Sequence, residues 1–315
     1  MTGYPLRFML FKYGRHLRFT SGCDARRQAM RVQHAGWSAG CAWRPSLTGH
    51  AARASALNEM VNDSRSFRMQ IGVIGTGFIG RTLTSKLSAA GHDVKVANSR
   101  GPETIDTGML ASGAHAVSAA DAVQDVEVVI LSIPLNRLPG IAPLIATVPA
   151  ETIVIDTSNY YPARDSAIEA IDGGQVESQW VAEQLGRSIV KAWNAIGADS
   201  LARKGTPAGT GGRIAIPVAA DEERERAVGM TLVEDTGFDG FDAGTLTQSW
   251  RQQPGAPSYC TDLTSEEMAT ALTAAEAARL PTRRDLAAAV IAERIDGDLR
   301  STLEQAVRIN RAVFI

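Results

Sequence analysis

An α/β fold, doubly wound around a parallel sheet, with a small cap and a helical C-terminal extension, is what this sequence predicts. Three observations carry the expectation. Apolar strands alternate with amphipathic helices from Met69 onward, a glycine-rich turn joins the first strand to the first helix, and beyond Thr264 the pattern becomes wholly helical.

The first strand is Gln70-Ile71-Gly72-Val73-Ile74, and it runs directly into Gly75-Thr76-Gly77-Phe78-Ile79-Gly80. A helix over 78–90 follows, with Ile79, Leu83 and Leu87 at helical spacing and Gly91 ending it; residues 94–98 form a second strand. In this context the first glycine allows a tight turn, the second lets backbone approach a pyrophosphate, and the third lets helix pack on strand. The helix N-terminus adds unpaired amides and a positive dipole end. Strand, turn, helix and second strand together make a dinucleotide site of Rossmann type, to which Gly75, Thr76, Gly77, Phe78, Ile79 and Gly80 are assigned.

The end of the second strand selects the cofactor. A carboxylate there would bind a ribose 2′-hydroxyl and repel a 2′-phosphate. This chain has Asn98-Ser99-Arg100-Gly101 instead. Ser99 donates a hydrogen bond and Arg100 offers a planar charged fork, so NADP(H) is expected over NAD(H). The competing reading of Arg100 is a solvated turn residue.

Residues 126–133 read as a central strand. Pro134 closes it, either as a strand stop or as backbone without an amide lying against a nicotinamide. Residues 152–156 form the next strand and end in Thr157-Ser158-Asn159-Tyr160-Tyr161; a helix at 178–185 leads to Ile189-Val190-Lys191-Ala192-Trp193-Asn194. Ligands of such sheets bind outside the carboxyl ends of the strands, so Ser132, Thr157, Asn159 and Asn194 are expected to converge there. The cap follows. Residues 197–212 read as a lid or a flexible connection, 213–218 as a strand, Asp221 as the cap of a helix with Glu222 and Glu223 in its first turn, and 238–244 as a last strand.

In the extension, Thr264-Ser265-Glu266-Glu267 has the capping-box pattern, with Met268 and Leu272 on one face. Pro281 separates this helix from one at 284–295, and a third at 298–311 carries the stripe Leu299, Leu303, Val307. These stripes suit core or dimer contacts better than a ligand.

Taken together, IGVIGTGFIG, VANSRGPETI, LSIPL, DTSNYYP and VKAWN resemble the coenzyme F420-dependent NADP reductase family, from Met69 to about Ser249, with DGFDAGTLTQS matching the family's late segment. The resemblance implies a Rossmann domain with a small cap, hydride exchange between NADPH and a deazaflavin (coenzyme F420), and a homodimer. It also implies that Ser99 and Arg100 contact the 2′-phosphate and that Ile133 and Pro134 flank the nicotinamide. The chain departs from the family at Asn194, where archetypal members have a histidine, and in everything from Trp250 onward.

Hydride transfer between two carbons held face to face relies on positioning, and no ionising side chain is strictly required. The acceptor is expected to be a flat redox-active small molecule bounded by Trp193 or Trp250, with Asn194 holding a carbonyl. A carbonyl or imine reductase is the alternative, and it needs a proton donor; Lys191 is the one well-placed lysine, competing with its reading as a strand-end surface residue. A non-catalytic NADPH sensor is the third reading.

Bulk properties limit the partners. Of the formal charge of −2, residues 1–68 hold eleven Lys/Arg against three Asp/Glu, a balance of +8, leaving −10 for the rest. An acidic body argues against a nucleic-acid partner. No apolar run reaches membrane-spanning length, and three scattered cysteines suggest neither disulfides nor a metal site, so a cytoplasmic setting is expected. Residues 1–68 are read as a disordered arm, a transit-like peptide or a mis-assigned start, the last preferred. The expected organisation is therefore 1–68 extension, 69–249 NADP-binding domain with cap, and 250–315 helical extension.

Overall fold

The computed structural model describes residues 68–294 and 299–315. The expectation for residues 1–68 falls almost wholly outside them. Ser64–Ile315 forms one compact unit.

Six parallel strands make the main sheet: β1 (Gln70–Ile74), β2 (Asp93–Ala97), β3 (His115–Ala116), β4 (Val128–Leu131), β5 (Ile153–Asp156) and β6 (Val190–Lys191), in the spatial order β3-β2-β1-β4-β5-β6. This is the doubly wound order, with its switch point between β1 and β4, where Ile71 pairs with Val128 and Ile74 with Leu131. All four residues of β4 are buried, as a strand covered on both faces requires. One face is covered by α1 (Phe78–Ala89), whose Leu83 and Leu87 are wholly buried. Each such burial contributes about 1.5–3 kcal/mol. The other face is covered by α2 (Leu138–Ile145) and α3 (Glu177–Leu185), through Leu138, Ile145, Val181 and Leu185.

The stretch 197–212 is not one loop. It opens with the helix α4 (Ala198–Arg203), anchored by buried Ser200 and Leu201. Its exposed remainder lies beside Lys86, Asp235 and Thr236 at the C-terminal end of α1. A twelve-residue helix is about 18 Å long, so this segment is far from the glycine turn and is not a lid over it.

A second, two-stranded parallel sheet pairs β7 (Ala215–Val218) with β8 (Asp239–Asp242), joined by α5 (Glu223–Asp235). Asp221 does not cap that helix; its carboxylate accepts from the Leu246 amide at 2.9 Å, and Glu222 occupies the cap position without a side-chain bond. A 3₁₀-helix, Leu246–Gln252, runs through the expected boundary at residue 249.

The extension comprises α6 (Ser265–Thr273), α7 (Leu280–Glu293) and α8 (Leu299–Phe314). The capping box forms: Thr264 Oγ1 accepts from the Glu267 amide, and Glu267 accepts from the Thr264 amide at 2.9 Å. Pro281 begins α7 rather than preceding it, because a first-turn proline forfeits no helical hydrogen bond. Val307 and Phe314 of α8 are buried; the side chains of Leu299 and Leu303 lie outside the described set.

Candidate dinucleotide-binding site

A cleft of about 790 Å³ opens at the carboxyl ends of β1, β2 and β4. Gly75, Thr76, Gly77, Ser99, Arg100, Ser132, Ile133 and Pro134 line it, joined by Asn98, Arg137, Gly140, Ile141 and Leu144. Ligand-free geometry already explains the glycines. Gly75 has φ +113, and a Cβ there would stand 2.2 Å from the Ser132 carbonyl oxygen. A Cβ on Gly80 would meet the Gly75 carbonyl oxygen at 2.1 Å, so the helix packs on the turn only without one. At Gly77, which lines the cleft, a Cβ would touch no protein atom within 4 Å. Helix α1 starts without a capping side chain, which leaves its first amides to a ligand. These are the features a pyrophosphate needs.

The turn after β2 is organised by a residue whose part the sequence reading missed. Asn98 Oδ1 accepts from the amides of Arg100 at 2.8 Å and Gly101 at 3.0 Å. The signal available was Asn followed three residues later by Gly, an Asx-turn pattern. The turn holds Ser99 and Arg100 on the surface at the cleft, and among the described residues Arg100 is bonded there through its backbone alone. Arg137 was also missed, for a simpler reason: nothing local marks a helix-start arginine as facing a cleft.

The remaining assigned residues occupy other places. Phe78 is 60% exposed at the head of α1, Ile79 packs partly against the core, and Gly80 is buried beneath the turn. Thr157 and Asn159 are outside the cleft lining. Thr157 Oγ1 donates to the Leu131 carbonyl at 3.2 Å. Asn159 and Asn194 meet each other outside the cleft lining: Asn159 Nδ2 donates to the Asn194 carbonyl at 2.9 Å, and Asn194 Nδ2 donates back to Asn159 Oδ1 at 3.2 Å. Asn194 also donates to the Gln252 carbonyl and accepts from Gln252 Nε2, each at 2.9 Å. Both amide protons of this buried side chain are thereby used inside the protein.

Lys191 is not a surface residue. It is wholly buried, with Nζ 2.6 Å from Asp156 Oδ2 and 2.5 Å from the Ser158 carbonyl. Asp156 in turn accepts from the Ser158 amide at 2.9 Å, so the pair clamps the turn that carries Asn159. Glu177 joins this buried charge group: burial raises its carboxyl from 4.5 to about 7, against the opposing pull of Lys191 and the Tyr160 amide bonded to it. Trp193 is not a platform for an acceptor either. It is buried in the core on the α1 face, its indole donating to Thr236 Oγ1 at 3.3 Å. Trp250 is half-buried, with the Arg251 guanidinium 5.1 Å from its ring centre. Among the described residues no cluster of metal-ligating side chains occurs, and no helix is long and apolar enough to cross a membrane.

Comparisons with known proteins fall on this region. Residues 70–160 match the family model of NADP oxidoreductases described as coenzyme F420-dependent. The chain is 47% identical over 79 residues to the protein YjhV of Escherichia coli (strain K12), a stretch that is 24% of this chain and 58% of that protein's length. Among solved structures, a hypothetical protein from Sinorhizobium meliloti, SMa0349, is 28% identical with a TM-score of 0.53, covering 64% of this chain and 97% of its own. A candidate F420-dependent NADP reductase from Arthrobacter sp. FB24 is 21% identical with a TM-score of 0.48, covering 70% and 94%. Through residues 70–160, then, the chain is similar to the NADP oxidoreductases described as F420-dependent, and those residues lie in a six-stranded parallel sheet of Rossmann order.

Proposed function

We propose that the protein is an NADP(H)-dependent oxidoreductase that passes a hydride between NADPH and a deazaflavin, coenzyme F420, or a similarly flat acceptor. The observation that carries this reading is the assembly of three features in one cleft: the glycine turn, the Ser99–Arg100 corner and the Ser132-Ile133-Pro134 strand end. The matched family model supports the nucleotide and names the acceptor. Bound NADPH supplies the hydride with both its electrons. The chain's own part is to seat the diphosphate on the amides of α1, to hold the 2′-phosphate at Ser99 and Arg100, and to fix the nicotinamide beside Ile133 and Pro134. The acceptor ring takes up its accompanying proton from solvent, since the buried Lys191 is committed to Asp156 and Ser158. The same reading includes a homodimer, which light scattering of the purified chain tests.

The decisive experiment follows loss of reduced-nicotinamide absorbance with F420, flavin, quinone, carbonyl and imine acceptors in parallel. Turnover with F420 or another flat ring is expected. Turnover confined to carbonyls or imines would replace this reading with the reductase of small substrates. Tight NADPH binding without turnover on the whole panel would favour a sensor.

A further inference from the structure

The nucleotide cleft contains a second arginine, and neither it nor Arg100 has an ion-pair partner among the described residues. Arg137 is exposed at the start of α2, three residues beyond Pro134. The cleft-lining residues of this segment are Arg137, Gly140, Ile141 and Leu144, spaced as one helical face. That face changes character along its length. It begins with a cation, passes a glycine whose absent side chain keeps the wall open, and continues with two apolar residues.

We infer that Arg137 is a second anchor of the nucleotide, meeting the diphosphate bridge of NADP(H) while Arg100 meets the 2′-phosphate. The inference rests on the nucleotide site proposed above. With the nicotinamide at Ser132-Ile133-Pro134 and the 2′-phosphate at Ser99–Arg100, the diphosphate lies between them over residues 75–77. Arg137 follows closely on the nicotinamide end and lines the same cleft as the glycine turn. Ile141, Leu144 and Ala119 leave an apolar surface for the adenine. Two guanidinium groups facing one cleft repel each other until an anion enters, and a dinucleotide phosphate carries charge enough for both. A planar fork suits the diphosphate oxygens better than a point charge.

The test is titration of NADPH and NADH into the wild-type chain and into Arg137→Ala, Arg137→Lys and Arg100→Ala. Arg137→Ala is expected to weaken both nucleotides alike, by about ten- to a hundredfold, leaving their ratio unchanged. Arg137→Lys should recover part of that loss. Arg100→Ala should instead reduce the NADPH-to-NADH ratio. Wild-type affinity of Arg137→Ala for both nucleotides would overturn the inference while leaving the nucleotide site intact, as would a loss confined to NADPH. A wild-type chain that binds neither nucleotide would overturn the site reading itself. Melting curves of the Arg137 variants should superimpose on the wild type, because the side chain is exposed.

Discussion

Arg100 stands on a turn whose shape is set by Asn98 and not by its own side chain, so its removal should leave the fold unaltered. A charge-assisted bond to phosphate is worth on the order of 1.5–3 kcal/mol. Arg100→Ala should therefore lower the preference for NADPH by roughly ten- to a hundredfold, measured by calorimetric titration of both nucleotides. An unchanged preference would place the discrimination elsewhere. Lys191 behaves oppositely. The sequence leaves it either a proton donor or a strand-end surface residue, but its burial against Asp156 means that Lys191→Met strands a carboxylate in the core. Breaking such a pair costs about 3–5 kcal/mol. A clear drop in melting temperature is expected, partly reversed by adding Asp156→Asn; a variant that melts normally yet is inactive would make Lys191 a proton donor. Glu177 adds a pH dependence. Its folded carboxyl titrates near 7 against an ordinary 4.5, so the native state holds the proton longer than the unfolded chain does. Stability from this group is therefore highest below about pH 4.5 and declines as pH rises through 7. Glu177→Gln should remove that decline, seen as a flatter melting temperature against pH than in the wild type.

At the scale of elements, the sequence was most readable where physics is local. The 3.6-residue period of Ile79, Leu83 and Leu87, the apolar run of β4 and the Thr264–Glu267 box all act within a few residues, and each forms as expected. Loss of the Thr264 cap by Thr264→Ala should cost about 1 kcal/mol, read from urea midpoints at unchanged slope. What was not readable depends on distant partners. Asp221 resembles a helix cap, but the Leu246 amide, twenty-five residues on, takes its carboxylate. Helix α4 hides in a stretch rich in small residues because only its packing, through Leu201, distinguishes it from loop. Of the site, the glycine turn and the Ser99–Arg100 corner were legible, being consecutive in sequence. The cleft wall from Arg137 to Leu144 was not, because its orientation follows from how α2 packs on β4.

For the molecule as a whole, Ser64–Ile315 forms a unit of its own. A chain of residues 69–315 should accordingly be soluble, melt cooperatively and bind NADPH with the affinity of the full-length protein. Failure of that shorter chain to bind, beside a competent full-length one, would show that the preceding segment contributes to the site.

The bonds between Asn194 and Gln252 have a consequence for motion. Asn194 follows β6 at the edge of the sheet, whereas Gln252 opens the path to the C-terminal helices; the Asn194 side chain donates to the Gln252 carbonyl and accepts from Gln252 Nε2, and both residues are buried. Neither can leave without breaking both of these buried bonds, so the extension and the β5–β6 edge should open to solvent as a single event. Deuterium uptake followed residue by residue would register this as one shared protection factor for the amides around Asn159, Asn194 and the helices beyond Gln252. Gln252→Ala should then speed exchange at Asn159 as much as in the extension itself, while the β1–β2 amides keep their wild-type rates.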